Sequence, residues 1–293
     1  MTIRSCALIT RFADARVADS TAALAAHLHA RGVIVLVPAE ESAPLDGAHV
    51  RQVGEAELIR DAQLIIAIGG DGTLLYAAGL VAERGTPLLG INRGRLGFLT
   101  DVMPQDMIPS VDAALEGRCE IDQRSLLSAQ ILRGAVQLAR GLALNDVVLH
   151  NAVTGHLLDF STAIDGRFVN NHGGDGLVIA TATGSTAYAL SCGGPIVEPQ
   201  LDAIVVAPIC PHTLSDRPIV VSGTATVEVR IAERPDAAGH VSCDGRALGE
   251  LLPSDRLLVR TANRKVNLLH PSGYDYFRLL RSKLNWGRRS FDA

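Results

Sequence analysis

The chain has 293 residues, 47% hydrophobic and 20% charged, with a formal net charge of −4. That length can bury one or two cores, two domains being the expectation, and the acidic balance argues against bulk electrostatic binding to nucleic acid or anionic membrane. No apolar run approaches the roughly 20 residues that span a bilayer, and only Lys265 and Lys283 are lysines, which excludes a G-x-x-x-x-G-K-[ST] loop and a kinase-type strand lysine.

The opening MTIRSCALIT reads as a first strand rather than a signal peptide. Residues 1 to about 120 then alternate strand and helix. CALIT is followed by Val17, Thr21, Leu24 and Leu28 at helical spacing, with Gly32 closing that helix. Val33–Val37 and Leu64–Ile68 are two buried strands, Thr73 is placed to cap a helix running towards Arg84, and Pro87–Ile91 is a fourth strand. This order predicts a parallel sheet with its site at the carboxyl ends of the strands. From about Arg118 to about His270 short β-rich runs punctuated by Gly, Pro, Asn and Asp predict a mainly antiparallel β domain. A helix-like insertion, GSTAYALSCGG, interrupts it, and YDYFRLLRSKLNW is helical again and expected to pack back on the first domain. The expected division is therefore an α/β domain, 1–120 joined by 271–293, and a β-rich domain, 121–270.

Five cysteines without a C-x-x-C pair suggest reduced thiols and a cytoplasmic location, and the nine histidines form no H-E-x-x-H. With no G-x-G-x-x-G after the first strand, any phosphate must be met by backbone N–H groups, arginine and metal ions.

Two segments carry chemistry. Gly69–Thr73, GGDGT, can be a tight strand-to-helix turn. It can equally be a reagent: glycines on either side clear space around Asp71, which could accept a hydroxyl proton or help hold Mg²⁺ beside phosphates. Residues 173–194, GGDGLVIATATGSTAYALSCGG, contain a second Gly-Gly-Asp-Gly and then Thr183, Ser185, Thr186 and Tyr188 as hydrogen-bonding groups, with Ala182 and Ala187 leaving room for a flat ring. A well-capped helix against a sheet is the plainer reading of this segment. Cys192 reads as a packed thiol, His27 and His29 as solvated, and the basic residues Arg278, Arg281, Lys283, Arg288 and Arg289 as a solvated face. Arg93 and Arg95 stand between a phosphate or inter-subunit role and simple loop stabilisation.

With these residues in view, the chain resembles the bacterial NAD kinases nearly end to end. The likeness is carried by GGDGT, GINRGRLGFLTDV (Gly90–Val102), ALNDVVLH (Ala143–His150), GDGLVIATATGSTAYALSCGGPIV (Gly174–Val197), PHTLSDRPIVV (Pro211–Val221), SCDG (Ser242–Gly245) and YFRLLRSKLNWG (Tyr276–Gly287). GGDGT alone is shared with lipid kinases and phosphofructokinases; the G-D-G-x-x-x-x-T-x-T-G-S-T-A-Y segment is far more specific.

The resemblance implies phosphorylation of the 2′-hydroxyl of the adenosine ribose of NAD, with ATP as donor and Mg²⁺ or another divalent cation as cofactor. It implies Asp71 as proton acceptor and, with Gly72, as a ribose contact. Asn145 and Asp146 would grip the dinucleotide, and Asp175 would lie near its nicotinamide end. Thr183 and the run Thr186, Ala187, Tyr188, Ala189, Leu190 and Ser191 would form the adenosine pocket, with His156 and Asp244 as further contacts. Gly69, Gly70, Thr73, Arg93 and Arg95 are the candidates for the ATP phosphates, no residue is assigned directly to the metal, and a homodimer or homotetramer is expected. Asp146 stands for the family's usual Glu, Ala182 for its usual Pro, and Gly173 where some relatives have Arg. The alternatives are a lipid kinase of the diacylglycerol or sphingosine type, or a non-catalytic NAD(P)-binding sensor.

Overall fold

The computed structural model describes residues 3–10, 15–39, 50–94, 97–152, 157–234 and 237–286. Its contacts divide the chain into two compact units, Met1–Gln123 with Val266–Ala293, and Arg124–Lys265.

In the first unit the elements run β1 (Ser5–Thr10), α1 (Ala15–Ala30), β2 (Ile34–Pro38), β3 (Val50–Val53), α2 (Glu55–Asp61), β4 (Leu64–Gly69), α3 (Asp71–Val81), β5 (Leu88–Asn92) and α4 (Met107–Leu115). The strands pair in the order β5, β4, β1, β2, β3, all parallel. Cys6, Leu8, Val35, Val37, Leu64, Ile66 and Ile68 from these strands pack with Val17, Leu24 and Leu28 of α1 and Val111 of α4 in one apolar core. β4 is buried along its whole length, as a central parallel strand covered on both faces must be. β3 is short and its Arg51 and Gln52 are exposed, an edge strand whose sequence carries no apolar run.

Three expectations are corrected here. α3 is capped by Gly70 and starts at Asp71, so Thr73 lies inside its first turn, packed over Gly69, rather than capping the helix. The second strand begins at Ile34, because Gly32 takes a left-handed φ of 71° and Val33 completes the turn with its N–H on Leu28. His27 is only partly solvated and is also paired: its Nε2 lies 2.8 Å from Asp112 Oδ1, which Arg31 also contacts at 2.9 Å, tying α1 to α4.

The chain passes between the units through β6 (Glu120–Arg133). There follow β7 (Val136–Ala143), β8 (Asp146–Asn151), β9 (Leu158–Ile164), β10 (Arg167–Gly174), β11 (Gly176–Thr181), α5 (Tyr188–Ser191), β12 (Ala203–Ile209), β13 (Ile219–Ser222), β14 (Thr226–Ile231), β15 (Gly239–Cys243), β16 (Arg246–Leu251) and β17 (Asp255–His270). Within the second unit β10, β9, β14 and β17 form one antiparallel sheet. A second, six-stranded sheet has the order β13, β12, β11, β8, β15, β16. Their inward residues, among them Phe160, Val227 and Leu257 from one and Val147, Ile179 and Val241 from the other, share a core. β11 shows the alternation: Leu177 and Ile179 face that core, while Val178 and Ala180 face a second apolar cluster containing Ala182, Ala189 and Val205.

The end of β17 belongs to the first unit, where Leu268 and Leu269 pair in parallel with Leu88 and Leu89 of β5. It leads into α6 (Tyr276–Leu284), whose start is capped by Asp275 accepting from the N–H groups of Phe277 and Arg278. The fold class is the expected one: a parallel α/β unit and a mainly antiparallel β unit.

Candidate functional site

In the first unit β4 delivers Gly69 and Gly70 at its carboxyl end, and Asp71 opens α3. A carboxylate in a first helical turn is favoured by the helix dipole, but this one is held by more than the helix. Among the described residues, Asp71 Oδ1 accepts from the N–H groups of Leu99 and Thr100 and from Thr100 Oγ1, each at 3.1 Å, and Oδ2 accepts from Phe98 N–H at 2.8 Å. The donors lie 27 to 29 residues downstream, on the turn after β5. That turn is fixed in its own right. Asn92 Nδ2 donates to Thr100 Oγ1 at 2.9 Å, Asn92 N–H to Val102 O at 2.8 Å, and Gly97 N–H to Thr100 O at 3.0 Å.

Gly97 has to be glycine, since a Cβ there would run into both Asp71 Oδ1 and Thr100 Oγ1. A Cβ at Gly70 or Gly72 would instead point into open space, and both residues are exposed. Asp71 is thus half-buried and fixed on one side, with bare backbone on the other. Arg93 is exposed beside this turn, and Lys283 of α6 stands over the Phe98 ring at 5.7 Å. Arg95 lies outside the described residues.

In the second unit the centre is the segment Leu144–Asp146, which leads into β8. Asp244, in the left-handed region at φ 48°, accepts three backbone N–H bonds: Leu144 at 2.7 Å, Asn145 at 2.8 Å and Asp146 at 3.1 Å. From the other side Thr181 Oγ1 donates to Leu144 O at 2.6 Å and accepts from Gly184 N–H at 3.0 Å. Gly184 packs so closely that a Cβ would overlap Asn145 O. Asn145 and Asp146 therefore project from a segment clamped on both sides.

Asp146 is buried, and that burial, followed by the nearby charge of Asp244, pushes its carboxyl up to about 7, against the opposing hydrogen bond from Tyr188 N–H. Burial also raises Asp244, its three N–H donors opposing. These donors favour the ionised form at Asp244, so the proton this pair retains near neutrality resides on Asp146. Asn145 Oδ1 is buried without a hydrogen-bond partner among the described residues, the state of an acceptor suited to a ligand donor.

Around this centre, Thr183 is buried and its Oγ1 accepts from Arg124 Nη1 at 3.2 Å. Thr186 Oγ1 donates back to Thr183 O at 3.3 Å. Tyr188 is exposed, with its ring 5.8 Å from that of His150. Asp175 is exposed between β10 and β11, and its carboxylate accepts from the Cys210 thiol. Ser191 is exposed, and Ala187 and Leu190 are half-buried.

The expected helix-like insertion is a 3₁₀ turn, Thr183–Thr186, followed by the single turn of α5. Two expected contacts change character. Ala189 is fully buried in the apolar cluster under β11, with Gly194 N–H on its carbonyl, so its side chain cannot line a pocket. Asp244 acts on the chain, its carboxylate holding the N–H groups of Leu144, Asn145 and Asp146. Cys192 packs against the same cluster, and burial raises its thiol, consistent with a packed rather than a nucleophilic sulfur. His156 lies outside the described residues. Sequence reading missed Gly97 and the Phe98–Thr100 donors, Arg124, His150 and Cys210. Only the glycine in LGFLT offered a local signal, and nothing local said what it approaches.

Residues 14–119 match the family model of the ATP-NAD kinase N-terminal domain, and residues 144–271 that of the C-terminal domain. The chain is 43% identical over 286 residues to the NAD kinase of Methylococcus capsulatus, covering 98% of each chain. It is 42% identical over 282 residues to that of Chromohalobacter salexigens, covering 96% of each. Among solved structures, the NAD kinase from Archaeoglobus fulgidus in complex with ATP matches with a TM-score of 0.75 at 26% identity, covering 97% of this chain and 99% of that one. Yeast NADH kinase complexed with NADH matches in fold with a TM-score of 0.88 at 24% identity, covering 98% of this chain and 89% of that one. Both halves of the chain, and nearly its whole length, place it in the ATP-NAD kinase family.

Proposed function

We propose that this protein transfers the γ-phosphoryl group of ATP to the 2′-hydroxyl of the adenosine ribose of NAD, giving NADP and ADP, with Asp71 as the proton acceptor. The observation that carries the role of Asp71 is its cradle. Among the described residues Oδ1 takes three donors and Oδ2 one, so the lone pair left on Oδ2 is the acceptor for the ribose proton. As the ribose oxygen bonds to the γ-phosphorus, the bond to the β,γ-bridging oxygen breaks, ADP leaves and the proton passes to Oδ2. Holding the carboxylate at four points means that little reorganisation accompanies this step.

The second unit supplies binding. Asn145 Oδ1 accepts from a ligand hydroxyl or amide, and Asp146 holds a ribose hydroxyl. Thr183, Thr186, Ala187, Tyr188, Leu190 and Ser191 surround the adenosine, with Asp175 towards the nicotinamide. Gly70 and Gly72 N–H groups and Arg93 meet the triphosphate.

Mg²⁺ or a similar ion, when bound, neutralises phosphate charge. Among the described residues no group of three or more His, Cys, Asp or Glu side chains could hold an ion. Such an ion would be carried by the triphosphate and water. We expect a cytoplasmic homodimer or homotetramer; none of the described helices is long and apolar enough to cross a membrane. Neither a lipid kinase nor a non-catalytic sensor gains an observation here. The test is NADP formation from NAD, ATP and Mg²⁺, read with an NADP-specific dehydrogenase. Binding of NAD without turnover, with ATP or with inorganic polyphosphate, would favour the sensor.

A further inference from the structure

The cradle of Asp71 continues into a second, buried polar cluster. Asp101 follows Thr100 directly, and its Oδ2 lies 2.9 Å from Nδ1 of His270, the last residue of β17. The other ring nitrogen, Nε2, lies 3.4 Å from Asp122 Oδ2 on β6. His270 is 2% exposed, and the side chains of Asp101 and Asp122 are 14% and 10% exposed. Tyr274 stacks on the imidazole with ring centres 3.8 Å apart and planes 9° from parallel.

A neutral imidazole has one N–H and one lone pair, so it would turn a lone pair on one of the two carboxylates. An imidazolium donates to Asp101 and presents its second N–H, 3.4 Å from Asp122 and outside hydrogen-bond geometry, as a positive charge facing that carboxylate. Burial pulls His270 down, but the hydrogen bonds and charges of Asp101 and Asp122 outweigh it and hold the residue above the usual imidazole value. A cavity of about 400 Å³ lined by Asp101, Tyr274, Asp275 and Arg278 borders the cluster.

We propose that His270, held as an imidazolium between Asp101 and Asp122, is a positioning residue for the reaction, fixing through Asp101 the Phe98–Thr100 turn that orients Asp71. The turn has two anchors. Asn92 of β5 fixes one side of it, and His270 fixes the residue immediately after its last donor. Loss of the imidazolium proton turns a ring lone pair on one of the two carboxylates, so the ring is no longer held between them and its hold on Asp101 and the turn loosens. The proposal rests on Asp71 being the reacting carboxylate.

The test has three arms on the full chain. Nitrogen-15 NMR of histidine-labelled protein should show both ring nitrogens of His270 protonated at pH 7, its signals assigned by their loss in His270→Gln and their movement in Asp101→Asn. In His270→Gln, kcat should fall about 10- to 100-fold while KM for NAD moves within about twofold, and the alkaline decline of kcat owed to His270 should vanish. In Asp101→Asn that decline should move to lower pH. A neutral His270 at pH 7, or a folded His270→Gln enzyme with wild-type kcat and pH profile, overturns the proposal. Turnover surviving in Asp71→Asn would instead overturn the role of Asp71, so the two failures are separable. If His270→Gln does not fold, the wild-type spectrum and the Asp101→Asn profile still decide.

Discussion

Replacing Asp146 by Asn removes the one carboxyl that the fold pushes furthest from its ordinary range. Its value rises from 3.8 to about 7, through burial and then through the charge of Asp244. At about 1.4 kcal/mol per pH unit that gap corresponds to about 4 kcal/mol, and about 2–4 once the proton is shared with Asp244. The sign follows from the raised folded value: between about pH 4 and 7 the folded chain binds a proton that the unfolded chain releases. Its stabilising contribution is complete below about pH 4 and is lost as pH rises through about 7. Asn cannot ionise, keeps the volume and still accepts from Tyr188 N–H. Urea unfolding at pH 4 and pH 8 should therefore show Asp146→Asn close to wild type at pH 4 and more stable by about 2–4 kcal/mol at pH 8. A difference that stays constant between the two pH values would refute the buried, proton-sharing pair. At pH 8, where Asp146 is ionised, the same variant should bind NAD about tenfold or more weakly, the loss of a charged hydrogen bond to ribose.

Gly97→Ala puts a methyl group where Asp71 Oδ1 and Thr100 Oγ1 lie, so the carboxylate must shift. Steady-state kinetics should show kcat reduced about 10- to 100-fold with NAD affinity by calorimetry nearly unchanged. Asp244→Asn turns an amide N–H₂ towards at least one of the backbone donors of Leu144–Asp146. It should cost about 1–3 kcal/mol in thermal unfolding and raise KM for NAD. Because it also removes a charge beside Asp146, the loss of stability between pH 5 and 8 should shrink.

Where local pattern decides an outcome, the chain was readable. The buried runs at Leu64–Ile68 and Pro87–Ile91 became β4 and β5, and the strand-to-glycine transition at GGDGT placed Asp71 at a strand end. Thr73 misled because it has the chemistry of a cap, whereas the backbone turns at Gly70 and leaves Asp71 as the first helical residue. β3 was invisible because a short edge strand with exposed Arg51 and Gln52 has no alternation to read. The site was legible as a set of residues but not as a mechanism. Asp244 meets its partners 98 to 100 residues away, and Asp71 meets its own 27 to 29 residues away. Such contacts come from strand order, which no local signal specifies. Ala189 was misplaced for the same reason: a small residue in a hydroxyl-rich run leaves room for a ring or fills a core, depending on which way a single helical turn faces.

The central claim is that Asp71 accepts the proton of the ribose hydroxyl. The most direct test measures NADP formation by the wild-type and Asp71→Asn proteins with NAD, ATP and Mg²⁺, alongside NAD binding by calorimetry. Asn is nearly the same size as Asp, and its carbonyl can still accept from the Leu99 and Thr100 N–H groups, but its N–H₂ then faces the Phe98 N–H, so thermal unfolding of the variant is measured alongside. Turnover should fall by about 10²-fold or more, in the range of a lost general base, with NAD affinity changed only a fewfold. Comparable kcat in the two proteins would contradict that claim.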